Sequence, residues 1–119
     1  MSRIRMLVVI AALASMLVVA APSGAALPKL VGTVGPGFTI TLKQAGKAVT
    51  TLKAGTYSIT VSDKANIHNF HLRGPGVNKE ITAIGFVGTK TVVLKLAKGT
   101  YRFVCDPHFA FMKGSFKVV

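Results

Sequence analysis

Leu96-Ala-Lys-Gly-Thr-Tyr-Arg-Phe-Val-Cys-Asp-Pro-His-Phe-Ala-Phe-Met-Lys-Gly114 is the stretch on which the reading of this chain turns. Its first half is a strand signal. Tyr101, Phe103 and Cys105 fall at every second position, so a pleated chain carries them on one inward face. Its second half cannot continue that strand, because Asp106 and Pro107 turn the chain and Gly114 lets it leave the turn. The stretch holds the only cysteine, one of three histidines and the only methionine beyond residue 16.

The opening of this stretch has an echo. Leu52-Lys-Ala-Gly-Thr-Tyr-Ser-Ile-Thr-Val61 parallels Leu96–Cys105, each beginning L-x-x-G-T-Y. A tyrosine there suits a corner in which the phenol bonds back to the upstream backbone and clamps a Greek-key crossover. Tyr57 and Tyr101 are therefore read as structural. The echo is too short for a repeat protein.

Further strands surround it. Phe38–Lys43 and Tyr57–Val61 alternate apolar and polar residues. Ile67–Leu72 is strand-like. Val92, Leu94 and Leu96 share one face, as do Phe116 and Val118. Gly35-Pro-Gly37, Gly46, Gly55, Gly74-Pro-Gly76, Gly85, Gly88 and Gly99 separate them, and Arg73–Lys79 reads as an exposed loop. No segment after residue 30 carries a capped helical period. The fold expected is all-β: one small Greek-key β-sandwich.

On such a scaffold Cys105 ends its strand with the sulfur aimed into one end of the sandwich. A lone cysteine cannot form an intrachain disulfide, which leaves a buried bystander, an intermolecular link, a reactive thiol or a metal ligand. His108 follows three positions on and Met112 four beyond it. Thiolate, imidazole and thioether form a soft donor set suited to copper, and two histidines, a cysteine and a long axial methionine make the blue-copper arrangement. The second imidazole must come from His68 or His71, both within Ile67-His-Asn-Phe-His-Leu72.

With His68-Asn69, Gly99-Thr-Tyr101, Phe103-Val-Cys105, Pro107-His108 and Met112-Lys-Gly114 in view, the sequence resembles the cupredoxins, the plastocyanin- and azurin-like blue copper proteins. The resemblance spans essentially the whole domain after residue 26. It implies His68, Cys105, His108 and Met112 as ligands of one mononuclear type 1 copper ion. It selects His68 over His71, because the early ligand is typically followed by an asparagine that pins the ligand loop, here Asn69. It also implies a supporting role for Pro107 beside the site, where Asp106 is its neighbour. The exposed edge of His108 becomes the electron's route, with Phe109 and Phe111 as an apolar docking rim. There are departures. Three residues separate His108 from Met112, as in azurin-like loops, but only two separate Cys105 from His108. Asp106 stands where serine or threonine is usual, placed to cap a loop N–H or to lower the potential by favouring the divalent ion. His71 is left as a surface histidine, an alternative ligand or a docking residue.

Composition bounds the rest. Arg3 and Arg5, the apolar run Met6–Ala21 and small residues through Ala26 form the pattern of a secretory signal peptide over residues 1–26, cleaved after Ala25 or Ala26. The run is shorter than the roughly 20 residues a spanning helix needs. The alternative is a retained leader that holds the protein at a membrane. The remaining residues 27–119 make one domain, expected to be exported to a periplasm or to the extracellular space and monomeric.

Lys and Arg number 15 against 3 Asp and Glu, a formal charge of +12, of which Arg3 and Arg5 supply two. Such a field draws the domain toward acidic partners, and weakly toward anionic membranes. Nucleic acid is excluded as a partner, since the lysines are scattered and no DNA-reading motif exists. Dispersed acids and the lack of any Ser-His-Asp motif argue against an enzyme, and four protein ligands leave no open position for substrate. The expected function is single-electron transfer between redox partners. The alternatives are a copper carrier or buffer without redox turnover, and a metal-free secreted β-sandwich binding module.

Overall fold

The computed structural model describes residues 26–119; the expected signal peptide over residues 1–26 lies almost wholly outside them. Ten strands form two five-stranded sheets: β1 (Lys29–Val34), β2 (Ile40–Gln44), β3 (Lys47–Ala48), β4 (Thr51–Leu52), β5 (Gly55–Asp63), β6 (Phe70–Gly74), β7 (Val77–Thr82), β8 (Gly88–Leu96), β9 (Gly99–Val104) and β10 (Lys113–Val118). The first sheet runs β3-β2-β1-β5-β8 and the second β4-β10-β9-β6-β7. The chain changes sheet at β4, β5, β6, β8 and β9. The result is the all-β sandwich expected, and the sole helical turn among the described residues is a 3₁₀ turn at Asp106–His108.

Alternation builds the core. Tyr57, Ile59 and Val61 of β5 face Leu72, Tyr101, Phe103, Phe116 and Val118 of the other sheet, all buried. Phe70 and Phe103 stack at 5.7 Å, and Tyr101 and Phe116 at 5.3 Å. Glycines make room for these rings. A Cβ on Gly74 would lie 2.1 Å from the Tyr101 ring, and one on Gly114 2.1 Å from the Phe103 ring.

Both tyrosines turn back as a corner requires. Tyr57 donates to the Lys53 carbonyl at 2.6 Å, and Tyr101 to those of Ala97 at 2.8 Å and Pro75 at 3.3 Å. Burial pushes the Tyr101 phenol above its ordinary pKa, partly offset by its bond to Ala97.

Several strand limits differ from the sequence expectation. Arg73–Lys79 is not a loop but most of a hairpin: only Pro75 and Gly76 lie between β6 and β7. Proline followed by a glycine at φ +68° is the chemistry of a type II turn, which needs two central residues and no more. Ile67–Asn69 precede β6 rather than starting it, and Phe38 lies in the loop before β2. The expectation also missed β1 and β7, whose alternation is broken by Gly32 and by the polar run Asn78-Lys-Glu80.

The topology fixes where a site can form. Strands β6 and β9 pair antiparallel, His71 opposite Val104. The start of β6 and the end of β9 therefore meet at one end of the sandwich, bringing His68-Asn69 beside Cys105-Asp106. The β1–β2 loop reaches the same end, because β1 runs parallel to β5 with Val34 level with Asp63.

Candidate metal centre

Cys105 is fully buried just beyond β9. The next residues form a closed loop. His108 N–H donates to the Cys105 carbonyl at 3.0 Å, Met112 N–H to the His108 carbonyl at 2.8 Å, and Cys105 N–H to the Met112 carbonyl at 3.0 Å. Pro107 is the second residue of the 3₁₀ turn, within its first turn, where its missing N–H costs nothing. These bonds aim the Cys105 and His108 side chains at one point.

His68 arrives from the other side and is fully buried. Its Nε2 lies 2.9 Å from the Gly37 carbonyl. A carbonyl can only accept, so Nε2 carries the proton and Nδ1 presents a lone pair to the site. Gly35, at φ +74°, permits this approach: a Cβ there would stand 3.0 Å from the His68 ring and in a backbone conformation that side chains disfavour.

The three donor atoms converge. His68 Nδ1 and His108 Nδ1 are 3.2 Å apart, and Cys105 Sγ is 3.6 Å from each. Among the described residues these three form the metal-ligating cluster. A point equidistant from the three atoms lies roughly 2 Å from each, the length of bonds from metal to imidazole nitrogen or thiolate. Two nitrogens and one thiol at that spacing, with His68 and Cys105 buried and His108 half-buried, fit a copper ion. Met112 is buried in the same loop, tied by its backbone to both Cys105 and His108.

A polar bridge supports the loop. Asn69, fully buried, accepts the Asp106 N–H at 2.7 Å and donates to Asp106 Oδ2 and Glu80 Oε2, each at 2.8 Å. The asparagine thus ties the His68 segment to the residue that follows Cys105. His71 sits outside the donor cluster. Its Nδ1 contacts Asp106 Oδ2 at 2.7 Å and its Nε2 faces Asn78. Asp106 does not cap a loop N–H with its side chain; its own N–H is the one held, by Asn69, while its carboxylate takes Asn69, His71 and Arg73, the last at 3.5 Å. Burial pushes this carboxyl up, but hydrogen bonds from Asn69 and His71 and the positive field of His71 and Arg73 outweigh it. The net shift is below its ordinary 3.8.

Over the centre lies an apolar cap that includes Phe111, which is 61% exposed and 5.7 Å from the His108 ring. Phe109 is 67% exposed and so also faces solvent rather than the core, but it lines the cleft of Arg73, Arg102, Val104 and Asp106 beside the centre. Sequence reasoning missed a second member of the cap. Phe38 meets His108 edge-on at 5.0 Å, His68 at 5.6 Å and Phe111 at 5.8 Å. Its place directly after Gly35-Pro-Gly37 was the available signal, since a phenylalanine following two breakers belongs to a loop tip.

The comparisons agree with this geometry. The family of copper binding proteins, plastocyanin/azurin family, matches residues 33–119. Rusticyanin from Thiobacillus ferrooxidans is similar in structure, at 25% identity and TM-score 0.53 over 76% of each chain. Reduced rusticyanin matches at 23% identity and TM-score 0.57, covering 76% of this chain and 78% of its own. Auracyanin B matches at 16% identity and TM-score 0.51, covering 81% of this chain and 92% of its own. No curated protein sequence matches.

Proposed function

Because the chain belongs to the plastocyanin/azurin family of copper-binding proteins, we propose that it carries single electrons between redox partners through one type 1 copper ion held by His68, Cys105, His108 and Met112. The observation that carries this reading is the triangle of two imidazole nitrogens and a thiol, buried at His68 and Cys105 and half-buried at His108, beneath exposed Phe38 and Phe111. Copper supplies the one-electron couple.

The chain's own residues supply rigidity and access. Gly37 fixes the His68 tautomer, Asn69 locks the two ligand segments together, and the backbone bonds of Cys105–Met112 hold the loop, so little needs to move when the charge changes. Phe38 and Phe111 exclude water and offer an apolar contact around half-buried His108, the proposed electron path, with exposed Phe109 on the adjoining flank of the docking face. A centre with every position filled by protein does not turn over substrate, so the role is that of a carrier and not an enzyme.

The surplus of lysine and arginine favours a partner with an acidic docking face, met after export by the N-terminal leader. Such association weakens as salt rises. The test is His108→Gly in the copper-loaded protein. It should open a coordination position, change the visible spectrum and slow electron exchange. Unchanged spectra and kinetics would overturn the role of His108, and a transfer rate independent of salt would overturn the acidic partner.

A further inference from the structure

The outer face of the second sheet carries an arrangement that electron transfer does not use. Arg102 of β9 stands opposite Arg73 of β6 on one side and opposite Ser115 of β10 on the other. Lys113, opposite Val104, is its diagonal neighbour on β10. All four point to solvent, because Leu72, Tyr101, Phe103 and Phe116 alternate inward.

Like charges directly across a strand pair destabilise it. Arg73 has a counter-charge in Asp106 Oδ1 at 3.5 Å, but among the described residues neither Arg102 nor Lys113 has an acid within 4.0 Å. A cleft of about 250 Å³ lies between them, lined by Arg102, Lys113, Gly114 and Ser115. The acid is confined to a neighbouring cleft on the far side of Arg102, lined with Arg73, Val104 and Phe109.

We propose that the Arg102–Lys113–Ser115 cleft is a binding site for a small, doubly charged oxyanion of the phosphate or sulfate class. The guanidinium offers a planar fork of N–H donors matched to paired oxygens. Lys113 adds a point charge and Ser115 a hydroxyl. The open cleft has room for a small oxyanion with part of its hydration water, and an anion there relieves the Arg73–Arg102 repulsion. None of the lining residues is a copper ligand, although Lys113 directly follows Met112, and anion binding is read by amide shifts and not by electron transfer.

The test is a titration of the copper(I)-loaded protein with orthophosphate, and separately with sulfate, against chloride at constant ionic strength, followed by amide NMR. Saturable shifts confined to Arg102, Lys113, Gly114 and Ser115 are expected with one or both oxyanions, and which of them saturates identifies the preferred ligand. Arg102→Gln should weaken binding about tenfold, the worth of one charge-assisted hydrogen-bonded group. Lys29→Gln, on the outer face of the other sheet, should leave it unchanged. Shifts that stay linear and spread over all lysines, or an equal loss in the two variants, would mean charge screening and would overturn the site.

Discussion

Leu52–Val61 and Leu96–Cys105 begin with the same six-residue pattern and fold the same way, yet only one leads to a metal centre. In each, a tyrosine turns its phenol to the carbonyl four residues upstream, and a strand follows with every second residue buried. The tenth position of each stretch, Val61 or Cys105, is fully buried. The two part at that point. Strand β5 is paired along its length with β8 and runs on to Asp63. Strand β9 stops at Val104, and Asp106-Pro107 turns the chain before it can bury another residue. The shared half builds the sandwich; the chemistry comes from where the second strand ends. A cysteine in the middle of β5 would be one more apolar core residue, whereas at the end of β9 it faces two histidines.

The packing around the two strands also differs, and this is the largest effect to test. Tyr101 and Phe103 lie over glycines on both neighbouring strands. Gly74→Ala and Gly114→Ala should each cost about 2–3 kcal/mol by overpacking, measured by urea unfolding of the metal-free protein. If neither costs more than an exposed substitution, the contrast in packing is wrong.

The corners come next. Tyr101→Phe leaves the Ala97 and Pro75 carbonyls without their shared donor, and Tyr57→Phe leaves one, that of Lys53. Losses of about 1–2 kcal/mol and about 1 kcal/mol are expected. Equal losses would show that the Pro75 contact contributes nothing.

Smaller again is Cys105→Val in the metal-free protein, which places in the second strand the residue that the first already carries. Stability should change by less than about 1.5 kcal/mol, while copper binding is lost. A collapse of the fold would make Cys105 a structural residue.

The smallest effect is one of pH. The Asp106 carboxyl is held below its ordinary 3.8 by hydrogen bonds and positive neighbours that outweigh its burial. A lowered folded pKa contributes stability above the unfolded value, lost as pH falls through the folded one. The metal-free protein should therefore lose stability relative to Asp106→Asn only below about pH 4. Parallel acid profiles for the two would remove that contribution.

The comparison also explains what was legible in the sequence. Alternation in Tyr57–Val61 and Tyr101–Cys105 is local and strong, so the sandwich and the inward direction of Cys105 could be read from residues alone. Strand β7 could not, because Asn78-Lys-Glu80 at a sheet edge has no buried face to impose a period. The closeness of His68 to Cys105 was legible only through the resemblance. It follows from the β6–β9 register, which spans more than thirty residues of chain and leaves no local mark. Backbone partners were invisible for a simpler reason: the Gly37 carbonyl that sets the His68 tautomer belongs to a residue without a side chain. Asp106 was noticed, but its pairing with His71 and Arg73 depends on which side chains share the outer face of the second sheet.

The most direct test is the optical and EPR spectrum of the purified protein after addition of divalent copper, beside Cys105→Ser. An intense visible thiolate-to-copper band with narrow copper hyperfine splitting, both lost in the variant, is the result expected for a blue-copper centre at His68, Cys105, His108 and Met112. A colourless protein, or weak copper binding that Cys105→Ser leaves unchanged, would contradict the assignment and, with it, the electron-transfer function.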